Sequence, residues 1–161
     1  MEFHGATAVC SPAVPKVCTV TTIHPVIMCG GAGMRMWPLS ASGSPRQYLS
    51  LADDESLLTF TLHCAAAVDA SLEIIPAVLI CRKGRDALAG IKADSAGYPP
   101  VEIMSEPFGR NTSPVAMRAA LSVHGRDQEG VVMPLRGDQY FADPEAFGAS
   151  IVQGVPVAEQ G

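Results

Sequence analysis

The sequence predicts an α/β protein, a mostly parallel sheet covered by helices on both faces. Three observations carry this. Four short apolar runs recur along the chain, Val26–Cys29, Ala77–Cys81, Val101–Met104 and Val131–Met133. Each is continuous rather than alternating, as strands buried on both faces are. Segments of helical character separate them, and strand–helix alternation with right-handed crossovers stacks into three layers. The first run also passes directly into Gly30-Gly31-Ala32-Gly33. Such a loop leaves a row of uncovered backbone N–H groups that can close around phosphate oxygens.

The elements follow in order. Residues 1–23 hold little periodicity and two prolines, Pro12 and Pro15, and read as a loosely ordered extension before the first strand. Glu55–Val68 places Leu57, Leu58, Thr61, Leu62 and Ala65 at helical spacing. Lys83–Ala93 is a weaker helix, interrupted by Gly84 and Gly90. Thr112–His124 is Ala-rich, opens on Asn111-Thr112 with Pro114 in its first turn, and stops at Gly125. Pro144–Val152 starts after Asp143 as N-cap, with Phe147 and Ile151 on one face. The domain therefore spans 24–161.

Composition narrows the function classes. A chain of 161 residues with 48% hydrophobic and 17% charged residues is globular and long enough to bury a core. Its net charge of −5 and lack of a basic stripe disfavour nucleic acid as a partner. Cys10, Cys18, Cys29, Cys64 and Cys81 are odd in number and scattered, without CxxC spacing, which reads as reduced thiols in a cytoplasmic protein. No signal peptide or run of transmembrane length is present, so no membrane partner is expected. The four histidines, His4, His24, His63 and His124, have no acid or thiol at a suggestive spacing.

Three motifs carry chemistry. The first is the glycine loop with Arg35 and the later Pro45-Arg46-Gln47, in which two cations can reach the same phosphates. It is neither a Walker loop, for want of GK[ST], nor GxGxxG. The second is Glu106-Pro107-Phe108-Gly109-Arg110-Asn111-Thr112-Ser113-Pro114, where a strand hands over to a helix whose N-terminus favours anionic or polar ligands. Guanine presents N1–H and N2–H₂ side by side, and one carboxylate accepts both, which makes Glu106 a candidate guanine reader. The third is Pro134-Leu135-Arg136-Gly137-Asp138-Gln139, with a carboxylate near the C-terminal end of a strand, a donor that suits hard Mg²⁺.

The stretch from Gly30 to Leu49 resembles the signature of sugar-nucleotide pyrophosphorylases, and most closely that of mannose-1-phosphate guanylyltransferases, roughly GGxGTRLWPLS, a spacer and PKQ. Gly30, Gly31, Gly33, Arg35, Trp37, Pro38, Leu39, Ser40, Pro45, Gln47 and Leu49 match, while Met34, Met36 and Arg46 depart from it. Glu106–Pro114 is similar to the family's EPxGRNTAP. The resemblance implies a Rossmann-like α/β/α nucleotidyltransferase fold, here apparently truncated before the sugar-binding half. It also implies transfer of GMP from GTP to mannose 1-phosphate, releasing pyrophosphate.

Site roles follow from the same resemblance. Gly30, Gly31, Ala32 and Gly33 would hold base and phosphates, and Arg35 would brace the β- and γ-phosphates. Arg46, where the family has lysine, would contact the phosphates near the attacked phosphorus. Glu106, Arg110, Asn111 and Thr112 would bind the nucleotide, and Asp138 would bind Mg²⁺. Two extra residues separate Asp138 from Pro134, and Gln139 replaces the family's histidine. The other reading is an inactive, truncated or regulatory relative that binds a nucleotide, with a second copy or a partner subunit covering its last helix. A uridylyl or thymidylyl enzyme is disfavoured by Glu106.

Overall fold

One strand organises the sheet. In the computed structural model, which describes residues 20–31, 45–52, 55–106 and 112–160, β1 (Thr22–Cys29) is paired along both edges. On one side runs β7 (Val131–Arg136), in register from Ile23↔Val131 to Met28↔Arg136. On the other lie β4 (Glu73–Ile74) and then β5 (Val78–Arg82), with β6 (Glu102–Glu106) beyond β5. Every pairing in this sheet is parallel.

Two prolines inside the sheet show how the ladder tolerates a missing donor. Pairing on the β4/β5 side runs to Ile23↔Ile74 and resumes at Val26↔Val78. Pro25 therefore lies opposite the interruption that contains Pro76. Pro134 lies in β7, where Gly137 N–H donates to Met28 C=O. By alternation the odd-numbered residues of β7 bond to β1, and Pro134 faces outward, where no ladder bond is lost.

The helices pack on both faces. α1 (Leu57–Ala66), α2 (Asp86–Ser95) and α4 (Pro144–Ala158) cover one. There Ile23, Ile27 and Leu79 of the sheet meet Leu58, Leu62, Ala89, Ala93 and Val155. α3 (Thr112–His124) covers the other, closing Val26, Val78, Ile80 and Met104 under Val115 and Ala119. The expected α/β/α layering is observed. Ser56 caps α1 by accepting from Thr59 N–H at 3.2 Å, and Asp143 caps α4 by accepting from Ala146 N–H at 2.9 Å.

Boundaries differ from expectation where physics overrides local pattern. β1 begins at Thr22, and its polar His24 is buried because Nε2 and Asp127 Oδ2 share a hydrogen bond of 2.9 Å. α2 starts at Asp86 rather than Lys83, because Gly84, at φ +82°, turns the chain out of β5. α4 continues through Gly154 and Pro156 to Ala158, with Val155 buried in the core. Among the described residues the structure adds a 3-10 turn (Arg46–Tyr48) and a small antiparallel pair, β2 (Ser50–Ala52) with β3 (Glu55–Ser56), which apolar periodicity does not predict.

Candidate functional site

The C-terminal ends of the parallel strands gather the candidate residues, which is where open α/β sheets bind ligands. Gly30 follows β1 directly, and Glu106 closes β6. Gly30 and Asp138 both stand two residues past the last β1–β7 pair, Met28↔Arg136. The 3-10 turn brings Arg46 and Gln47 to the same edge.

Glu106 reaches across the end of β5 to lie over Gly30. A Cβ at Gly30 would fall 2.6 Å from Glu106 Oε2, closer than atoms can approach. A side chain at this position would displace the carboxylate above it. Burial pushes the Glu106 carboxyl above its ordinary range, with Arg118 of α3 pulling it partly back. Gly31 is exposed, and a Cβ there would meet nothing within 4 Å. The arrangement offers a partly buried carboxylate beside the exposed backbone of Gly31, suited to a planar ligand with paired N–H donors.

Gln47, 3% exposed, fastens that backbone. Its Nε2 donates to Cys29 C=O at 2.7 Å and to Gly31 C=O at 3.5 Å, bracketing Gly30 with one amide. Beneath, Cys29 and Cys81 sit side by side in register on β1 and β5, both buried, next to Tyr48. Hydrogen bonding with Cys81 and then burial raise the Cys29 thiol well above its ordinary value, and burial raises the Tyr48 phenol. Hydrogen bonding with Cys29 in turn lowers the Cys81 thiol, and the three groups form a buried floor.

Asp138 is the centre of an arginine pair. Arg46 donates to Oδ2 from Nε at 2.6 Å and also from Nη2. Arg136 donates to Oδ1 from Nε at 3.2 Å and to Oδ2 from Nη2 at 3.3 Å. The Asp138 and Arg46 side chains are 14% and 19% exposed, and that of Arg136 is 53% exposed. Gly137 sets this position: a Cβ there would lie 3.1 Å from both Cys29 Sγ and Ile27 Cγ2.

These residues do not fit Mg²⁺ as a resident ion on Asp138. Both carboxylate oxygens already accept from guanidinium groups. Even one unit of like charge about 4 Å away costs roughly 4 kcal/mol at an intermediate dielectric, and a divalent ion would face two such neighbours. No group of three or more His, Cys, Asp or Glu able to hold a metal occurs among the described residues. The expected role of Asp138 as a metal ligand therefore gives way, in this geometry, to an ion-pair role.

The remaining expectations divide simply. Gly30, Gly31, Arg46, Glu106 and Asp138 come to one edge, whereas Thr112 is the exposed first residue of α3. Ala32, Gly33, Arg35, Trp37, Arg110 and Asn111 lie outside the described residues. Two residues with evident work at this edge, Gln47 and Arg136, carried no assigned role in the sequence. Gln47 stood inside a matching motif, and Arg136 inside the lengthened segment before Asp138.

The chain is similar to known proteins in sequence and in fold. A family model described as Nucleotidyl transferase matches residues 24–154. The xanthan biosynthesis protein XanB of Xanthomonas campestris pv. campestris is 32% identical over 142 residues, covering 88% of this chain and 30% of that protein. A mannose-1-phosphate guanylyltransferase of Escherichia coli K12 is 31% identical over 141 residues, 86% of this chain and 29% of that protein. The alginate biosynthesis protein AlgA of Pseudomonas aeruginosa is 30% identical over 137 residues. The chain thus spans less than a third of the length of these relatives. Among solved structures, mannose-6-phosphate isomerase from Helicobacter pylori superposes with a TM-score of 0.63 at 20% identity, over 86% of this chain and 47% of that one, which is a likeness of fold. No helix among the described residues is long and apolar enough to cross a membrane.

Proposed function

The chain belongs to the nucleotidyl transferase family, and from that premise we propose that it binds GTP and serves the transfer of GMP to mannose 1-phosphate, releasing pyrophosphate. The observation that carries this reading is the Glu106 carboxylate lying over Gly30. It brings Gly30 and the carboxylate that opens the second motif to one point, with the acceptor a guanine edge requires. Adenine, whose N1 is itself an acceptor, would be repelled there.

In this reading the sugar phosphate attacks the α-phosphorus of GTP, forming a P–O bond as the bond to the pyrophosphate oxygen breaks. The nucleophile is already an oxyanion at neutral pH, so no general base is needed. Glu106 orients the base, and Gln47 holds the loop backbone in place. Arg46 offsets charge on the phosphates, with Arg35 in the bracing role that the resemblance implies. Arg110, Asn111 and Thr112 complete the nucleotide side of the proposal. Mg²⁺ enters it only as the counter-ion that a nucleoside triphosphate carries.

The test is GTP binding by calorimetry beside ATP and UTP, for the wild type and Glu106→Gln, followed by pyrophosphate release on adding mannose 1-phosphate. Guanosine preference lost in the variant is the expected result. Equal affinity for the three nucleotides would overturn the base assignment. A second reading, a relative that binds nucleotide without turnover, is favoured by the engagement of Asp138 with two arginines. It predicts GTP binding without pyrophosphate release.

A further inference from the structure

We infer that Arg46, Asp138 and Arg136 form a preassembled phosphate clamp, in which Asp138 positions two guanidinium groups and is not a metal ligand. The inference rests on the nucleotide reading of this edge and names how its phosphate end is held. Arg46 comes from the 3-10 turn and Arg136 from the end of β7, elements brought together only by the fold. Left alone, two guanidinium groups this close would repel each other. Asp138, largely buried, accepts from both and fixes them side by side. Two cations and one anion leave the cluster itself with a net positive charge.

Donor supply supports the assignment. A guanidinium carries five N–H donors in a planar fork, and the contacts from Arg136 to Asp138 use only Nε and Nη2. The half-exposed Arg136 can meet a ligand from solvent, while the more buried Arg46 anchors the pair. Arg136 belongs to the segment that is longer here by two residues. The same change that moves Asp138 away from Pro134 therefore supplies the second cation.

The test uses inorganic tripolyphosphate, which carries the phosphates without the base, and Mn²⁺ as a spectroscopic stand-in for Mg²⁺. The wild-type chain is expected to bind tripolyphosphate in EDTA, and Arg136→Gln to weaken this by about tenfold or more, the loss of a charge-assisted contact. Asp138→Asn is expected to weaken it as well, although it removes a negative charge. A bystander carboxylate would give tighter anion binding on that change. Electron paramagnetic resonance titration of Mn²⁺ without phosphate is expected to show no stoichiometric site in either the wild type or Asp138→Asn. A one-to-one Mn²⁺ site lost in Asp138→Asn would overturn the proposal, as would tripolyphosphate binding that requires Mg²⁺ or is unchanged in Arg136→Gln. GTP titrated in parallel separates the two readings. Tripolyphosphate bound as tightly as GTP would overturn the guanosine reading and leave the clamp; GTP bound without tripolyphosphate would overturn the clamp.

Discussion

At the scale of single residues, the contact between Gly30 and Glu106 ties backbone to recognition. Gly30→Ala would place a methyl group 2.6 Å from Glu106 Oε2, and the carboxylate must swing away. The expected outcome is a fall in GTP affinity of about tenfold or more, the value of a hydrogen bond to a charged acceptor, with thermal stability little changed. Calorimetry and a melting curve on the same sample check both halves. Glu106→Gln should weaken GTP similarly and narrow the preference over UTP. Protonation acts on the same group in two opposite senses. Its carboxyl titrates above the ordinary 4.5 through burial, so the folded state holds the proton more tightly than the unfolded chain does. Stability from this group is fully present below 4.5 and is lost as pH rises through the raised value. Guanine affinity, which needs the carboxylate, rises over the same interval. Melting and binding curves for wild type and Glu106→Gln across that window should therefore diverge in opposite directions.

At the scale of elements, the joint between α3 and β7 is closely packed around Gly130. A Cβ on Gly130 would stand 2.5 Å from Asp127 Oδ2 and 2.6 Å from the His24 ring, which is itself buried in β1. Gly130→Ala should destabilise by ~1–3 kcal/mol, as overpacking does, seen as a melting temperature lower by roughly 2–4 °C for each kcal/mol. His24 also holds the Asp127 carboxyl below its ordinary range by hydrogen bonding. That contribution is present at neutral pH and lost as pH falls, so Asp127→Asn should flatten the acid side of the stability curve. Sequence pattern revealed the central parallel strands well, because continuous apolar runs such as Ala77–Cys81 have few other uses, but the run Val101–Met104 falls on β6, where Ile103 is exposed. It hid the first half of β1, where His24 and Pro25 break the pattern and only pairing to Asp127 and the break opposite Pro76 make them tolerable. β4, two residues long, was below what periodicity resolves. In the site, Glu106 and Asp138 could be picked out by chemistry. That Glu106 crosses a strand to reach Gly30, and that Arg136 shares Asp138, depends on distances between chain segments far apart in sequence.

At the scale of the whole molecule, the three-layer arrangement seals three thiols, Cys29, Cys64 and Cys81, into the interior. Thiolate is the reactive form; the Cys29 thiol titrates well above its ordinary value, while Cys81, whose thiol is lowered by hydrogen bonding with Cys29, is shielded by burial. Alkylation of the native chain at about pH 8 followed by peptide mapping should leave these three unmodified, with labelling rising only across the denaturant transition. Modification of Cys29 in the native chain would contradict the packing of the sheet beneath the site. The sheet also dictates an order of events as the polypeptide leaves the ribosome. β1 is made before β7, and their pairing joins residues more than a hundred positions apart. At about 5–20 residues per second of synthesis, its β7-facing edge and apolar side chains wait on the order of 5–20 s for their partner, an interval in which a nascent chain is open to chaperones and to its neighbours on the same message.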